Sequence, residues 1–247
     1  MRVLHIHSPG WPLGGAEAYL ASLCRLQEER GYAITRLLVP APAESNGLSA
    51  RDMSAPRSWG ILSGLRCLSA LLRMAQQARP DIIHLHRTQH ALSPVIVAAL
   101  RRLAPTVLSL HDVGPLCYWS TKVVRPTAQL CGTPLGRGCF RSGCYALPAD
   151  ASTALHLYGI FLLHLQLRAY RGLEKILVAN RYLVDELVKN GCAPERVTHL
   201  PLFTEMRAEA APLPCVTDRH ILYVGRLRQE KGIFQLIQAL DLSLIHI

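Results

Sequence analysis

The chain has 247 residues, half of them hydrophobic, and 27 Lys and Arg against 17 Asp and Glu give a net charge of +10. That apolar content excludes a disordered chain, and the dispersed Gly and Pro exclude a collagen-like or coiled-coil rod. No apolar run approaches the roughly 20 residues that span a bilayer, and His5, His7 and Pro9 interrupt the start, so no secretory signal is read and a cytoplasmic location is expected.

Residues 2–7 read as a short buried strand and 8–15 as a turn-rich loop. Residues 16–30 read as a helix, because Tyr19, Leu20, Leu23 and Leu26 make an apolar stripe and Gly31 ends it. A second strand is predicted at 33–39, a long loop at 40–60, a helix at 61–78 and a third strand at 81–86. Ser93-Pro94 marks a helix start, with Ser as cap and Pro in the first turn, and that helix runs to about residue 103. A fourth strand at 106–110 precedes an irregular segment, 113–150, rich in Cys, Gly and Pro. A helix at 151–172, a strand at 175–179, a helix at 182–189 and a strand at 197–200 follow. Residues 201–218, with Pro212 and Pro214, read as a linker, and 221–224 start a new strand before a helix from Ile233.

Strands alternating with helices predict parallel βαβ units and a doubly wound α/β sheet. The continuous apolar strands fit a sheet covered on both faces. Such sheets bind ligands at the carboxyl ends of their strands. The residues to inspect are therefore 8–15, 84–90, His111 with Asp112, Asn180, and 225–232.

Gly10, Gly14 and Gly15 lie between the first strand and the first helix, where backbone N–H groups and a helix N-terminus suit a phosphate. A plain tight turn is the alternative. The spacing matches neither G-x-G-x-x-G nor the P-loop, and the second strand ends in Val39-Pro40 without an acidic residue for a ribose, which disfavours a nicotinamide cofactor. His5 with His7, and His84 with His86, are i, i+2 pairs that share a strand face. They could bind metal or simply line a strand-end cleft, the latter being favoured. Cys24, Cys67 and Cys192 read as buried hydrophobes. Cys117, Cys131, Cys139 and Cys144 crowd one loop and could supply a structural zinc site, a disulfide pair or free thiols. Residues 155–171, apolar nearly all round and ending in Arg168 and Arg171, read as a core helix, with a membrane-surface helix as the other option.

Four motifs in order resemble family 4 glycosyltransferases of the GT-B fold. Gly14-Gly15-Ala16-Glu17 resembles the GG-x-E opening of their first helix, and residues 80–86, Pro-Asp-Ile-Ile-His-Leu-His, resemble their third-strand segment. His111-Asp112 resembles their His-Asp pair, and residues 221–232, Ile-Leu-Tyr-Val-Gly-Arg-Leu-Arg-Gln-Glu-Lys-Gly, resemble the start of their donor domain. The resemblance implies retaining transfer of a sugar from a nucleotide-sugar donor to a glycan, lipid-linked or small-molecule acceptor, without a catalytic metal. It places His111, Arg226 and Lys231 in the catalytic set, His111 facing the reacting sugar and the two cations holding the leaving diphosphate. It places Gly14, Gly15, Glu17, His86 and Asp112 in donor and acceptor binding. Some members carry similar Cys-bearing loops, which keeps zinc at Cys117, Cys131, Cys139 and Cys144 in view.

The implied organisation is an acceptor-side domain at 1–200, a linker at 201–218, and the start of a nucleotide-sugar domain at 219–247. The family's E-x7-E motif has no counterpart here, and 242–247 resemble a translated sequencing adaptor, so a truncated, inactive fragment is expected. The basic balance allows peripheral contact with an anionic membrane at its inner face. The alternative function is a non-catalytic binding module using the Cys-rich loop and the basic surface. No nucleic-acid partner is expected, because no recognition motif is present and aromatics are few.

Overall fold

Apolar runs bounded by turn residues become strands, and the amphipathic stretches between them become helices. The computed structural model describes residues 1–7, 15–38, 52–54, 61–86, 92–124, 126–127, 129–145, 153–203, 221–225, 227 and 231–244. The chain divides into two units, Met1–Glu205 and Met206–Ile247.

The first unit opens with β1 (Arg2–His7), α1 (Gly15–Glu29), β2 (Ala33–Leu38), β3 (Asp52–Ser54), α2 (Ile61–Ala78), β4 (Ile82–His86), α3 (Pro94–Leu100) and β5 (Thr106–Leu110). It continues with β6 (Val123–Val124), β7 (Gln129–Leu130), α4 (Arg137–Arg141), α5 (Thr153–Arg171), β8 (Lys175–Val178), α6 (Arg181–Lys189) and β9 (Val197–His199). Seven strands form one sheet in the order β3-β2-β1-β4-β5-β8-β9, every pairing parallel. This is the doubly wound α/β sheet that the alternation predicts. The chain winds outward from β1 to β3, then restarts at β4 on the other side of β1, so the strand order reverses between β1 and β4. A crevice forms at such a switch point.

Local chemistry sets the boundaries. Gly31 has φ +80°, a left-handed conformation that glycine adopts without a Cβ clash, and α1 ends just before it. Ser93 caps α3 by accepting the Ile96 N–H at 3.3 Å, with Pro94 in the first turn. That helix stops at Leu100, short of the expected 103, because 101–103 form turns. Asn180 caps α6 by accepting the Leu183 N–H at 2.9 Å.

Side-chain alternation gives the sheet two unlike faces. Leu4 and Ile6 of β1, Ile83 and Leu85 of β4, and Leu108 of β5 join Leu71 of α2, Val97 and Leu100 of α3 and Tyr170 of α5 in the main core. Each such fully buried apolar side chain contributes about 1.5–3 kcal/mol. On the α1 side, Val3 packs with Leu20, Cys24 and Ile34 in a smaller cluster. Beside that cluster the α1 face carries His5, His7, His84 and His86, all buried. Among the described residues no helix is long and apolar enough to cross a membrane.

The segment after β5 is more ordered than its composition suggests. A 3-10 turn at Gly114–Leu116, an antiparallel β6–β7 hairpin and α4 occupy it. Lys122, just before β6 and with φ +54°, is 2% exposed. Its ammonium lies 2.6 Å from Glu186 Oε2 of α6 and donates to the Thr133 carbonyl at 2.7 Å. The Leu135 N–H donates to Asn190 Oδ1 at 2.8 Å. A buried ion pair and a side-chain amide thus clasp this segment to α6.

In the second unit the strand expected at 221–224 is absent: 221–225 carry no regular structure. Ile221, Leu222 and Val224 are 63%, 86% and 85% exposed. A strand needs a neighbour to pair with, and the described residues of this unit supply none. The helix expected from Ile233 forms as α7 (Ile233–Leu244). It includes residues 242–244, while 245–247 and most of the expected linker lie outside the described residues.

Candidate functional site

His7 is the last residue of β1 and His86 the last of β4, so both stand at the reversal point. His111 and Asp112 follow β5 directly, and Glu17 lies in the first turn of α1. The N-terminus of α1 presents backbone N–H groups without intrahelical partners. Gly15 starts that helix, and a Cβ there would meet no atom within 4 Å. Gly14 and Arg226, both expected in the site, lie outside the described residues.

Glu17 Oε1 is 3.4 Å from His7 Nε2, the two side chains being 10% and 4% exposed. The other His7 nitrogen, Nδ1, is 3.3 Å from the His86 carbonyl oxygen, which ties α1 to β4 through one ring. His111 stacks on His86 with ring centroids 6.2 Å apart and meets the Tyr19 ring edge-on at 5.7 Å. Tyr19 also packs against Phe203 at 5.1 Å. Burial pushes the Tyr19 phenol above its ordinary range. Asp112 is exposed, and its Oδ1 accepts the Gly114 N–H at 2.8 Å, so it shapes the turn behind His111.

The structure therefore brings Gly15, Glu17, His86 and His111 to one end of the sheet, with Asp112 fixing the loop. His86 lies beneath His111 rather than in the open crevice: it is fully buried, and its Nε2 is 3.0 Å from His5 Nδ1. Lys231 belongs to the second unit and is exposed. Tyr19 was legible in the sequence only as part of a core stripe, and Phe203 only as part of a linker. The packing of Tyr19 on His111, and of Phe203 on Tyr19, depends on tertiary contacts that no local pattern encodes.

The α1 face beneath the crevice holds a histidine network. His5 Nε2 is 2.7 Å from Gln27 Oε1, and His84 Nε2 is 2.8 Å from Ser109 Oγ. Burial, opposed by the Gln27 hydrogen bond and aided by Arg36, lowers the His5 pKa to about 4. Burial and then the neighbouring imidazoles hold His84 and His86 well below the ordinary range. All three rings are neutral at pH 7.

The loop cysteines form no disulfide among the described residues. All six described cysteines, Cys117, Cys131, Cys139 and Cys144 among them, are free thiols. Cys131 Sγ sits 3.2 Å from Thr133 Oγ1 beside the hairpin. Cys139, Cys117 and Cys144 surround the Tyr145 phenol, which burial first and those thiols second push above its ordinary range. Among the described residues the one group with ligand atoms all within 4.8 Å of each other is His5, His84 and His86. No three of the four sulfurs lie within 4.8 Å of one another, and the Lys122–Glu186 clasp anchors the same segment.

The glycosyl transferase 4-like domain family matches residues 14–202. Similar solved structures include Anabaena HepE in complex with UDP, with TM-score 0.48 and 16% identity, covering 83% of this chain and 45% of that one. A ugt transferase from Siraitia grosvenorii in complex with UDP gives TM-score 0.49 and 14% identity, with 84% and 52% covered. The glycotransferase of kitacinnamycin gives TM-score 0.49 and 14% identity, with 87% and 55% covered. The chain thus spans about half the length of these structures. No curated protein matches it.

Proposed function

This chain belongs to the glycosyl transferase 4-like family, and we propose that it provides the acceptor side of an enzyme that moves a sugar from a nucleotide-sugar donor to an acceptor, with retention of anomeric configuration. One observation carries this reading: the family match over residues 14–202 includes Gly15, Glu17, Tyr19 and His111, and the Tyr19 ring meets His111 edge-on. Residues 1–200 form the acceptor-side domain, 201–218 the linker, and 219–247 the start of the donor-side domain.

The chemistry assigns the roles. A departing nucleoside diphosphate gains negative charge as the glycosidic bond breaks, and positioned cations and N–H donors stabilise that charge in the transition state. Arg226 and Lys231 are the cations, Gly14 lies against the donor, and the N-terminus of α1 at Gly15 adds backbone donors. His111, on the loop after β5, faces the reacting sugar. Glu17 and Asp112 hold the acceptor side, and His86 supports His111 from below. No catalytic metal is needed in this scheme. The exposed Leu157, Tyr158 and Phe161 of α5, with the net charge of +10, suit peripheral contact with an anionic cytoplasmic membrane face and a lipid-linked acceptor.

The test is made on the whole gene product. Proton NMR of the first product formed is expected to show the donor's anomeric configuration. Lys231→Ala is expected to lower kcat on the order of 10²-fold, with a smaller change in KM. An inverted product, or unchanged turnover in the variant, would refute these assignments.

A further inference from the structure

Three imidazoles lie under the crevice, and the transfer chemistry does not use them as ligands. His5 of β1 pairs with His84 of β4 in register, and His86 follows two residues later, so alternation brings all three to the α1 face. They are 0%, 6% and 0% exposed. One ring nitrogen from each lies within 4.8 Å of the other two. The His5 Nδ1 to His86 Nε2 separation is 3.0 Å. Two nitrogens bound to one tetrahedral ion at ~2.0–2.1 Å stand about 3.3 Å apart, so a shift of a few tenths of an ångström accommodates the ion.

The surroundings suit ligation. Gln27 Oε1 faces His5 Nε2 at 2.7 Å and Ser109 Oγ faces His84 Nε2 at 2.8 Å. The Gln27 oxygen can only accept, so it holds the proton on His5 Nε2 and leaves Nδ1 as a lone-pair donor, and the Ser109 hydroxyl can accept from His84 Nε2 in the same way, the outer arrangement usual around metal-bound histidine. Without an ion, His5 Nδ1 and His86 Nε2 can share only a single proton across their 3.0 Å contact.

We propose that His5, His84 and His86 form a buried site for a divalent first-row transition ion, zinc above all, which ties β1 to β4 beneath the crevice. Three imidazoles without a carboxylate suit zinc, cobalt, nickel or copper and not magnesium or calcium, which take oxygen ligands. The site holds the strand ends in place and does not touch substrate, so it stands independently of the transferase reading.

Cobalt(II) is the probe, because its visible bands report coordination geometry and a near-ultraviolet charge-transfer band reports thiolate. The metal-free chain titrated with cobalt is expected to saturate at about one equivalent, the stoichiometry of one three-histidine site. Its first-equivalent spectrum is expected to be four-coordinate and free of the thiolate band, and its melting temperature to rise with cobalt concentration. His84→Gln is expected to abolish this binding, and Ser109→Ala to weaken it by roughly 10–100-fold through the lost outer partner. Absence of saturable binding, a thiolate band in the first equivalent, or unchanged affinity in His84→Gln would overturn the site. Should His84→Gln fail to fold, unchanged affinity in Ser109→Ala overturns it alone.

Discussion

Gly15 starts α1 where a Cβ would meet nothing within 4 Å, so folding makes no demand for glycine there. Alanine in that place restricts the unfolded chain, and Gly15→Ala should leave stability unchanged or raise it by up to about 1 kcal/mol. A diphosphate or acceptor lying against the same N–H would meet the added methyl group. The expected loss in kcat/KM is roughly tenfold, equivalent to ~1.4 kcal/mol. Thermal melting and kcat/KM, measured together, separate the two roles, and a variant as active as wild type would remove Gly15 from the site. His86 shows the opposite division. Its strand-end position was legible in the sequence, but its burial under His111 was not, because that depends on which helix covers the face. The meeting of His5 with His84 and His86 was hidden for a related reason. Spacing shows which residues of one strand share a face, whereas only the pairing register of β1 with β4 shows that two strands' histidines meet.

At the scale of elements, the Lys122–Glu186 pair anchors the β6–β7 segment, with both side chains nearly excluded from water at 3% and 1% exposure. Removing one charge of a buried pair leaves the other desolvated and unpaired. Glu186→Gln is therefore expected to cost about 3–5 kcal/mol in urea unfolding. A cost below about 1 kcal/mol, the range of exposed pairs, would show that the clasp does not anchor the loop. No sequence pattern announces this pair, since the partners are far apart in the chain and neither lies in an apolar run. The long strands of the sheet were legible because β1, β4, β5 and β8 are apolar runs bounded by turn residues. The three-residue β3, Asp52–Ser54, was not, being too short and polar to carry a period. The strand expected at 221–224 failed for a different reason: its residues have strand character, but a strand is defined by its neighbour.

At the scale of the molecule, the first unit contains the whole sheet, both core clusters and the crevice at the β1–β4 reversal. The second contributes Lys231 and α7. Sugar transfer is proposed to take place at the crevice that carries His111. The direct measurement is acceptor-dependent release of nucleoside diphosphate from a nucleotide-sugar panel by the whole gene product, wild type against His111→Ala. The ring of His111 rests on Tyr19 and His86 and closes no core cluster, so the variant should fold, which circular dichroism verifies. Turnover is expected to fall by roughly 10²–10³-fold, the loss typical of removing one positioned donor at a charged transition state. Turnover within about twofold of wild type in a folded variant, a difference of ~0.4 kcal/mol in the barrier, would contradict it.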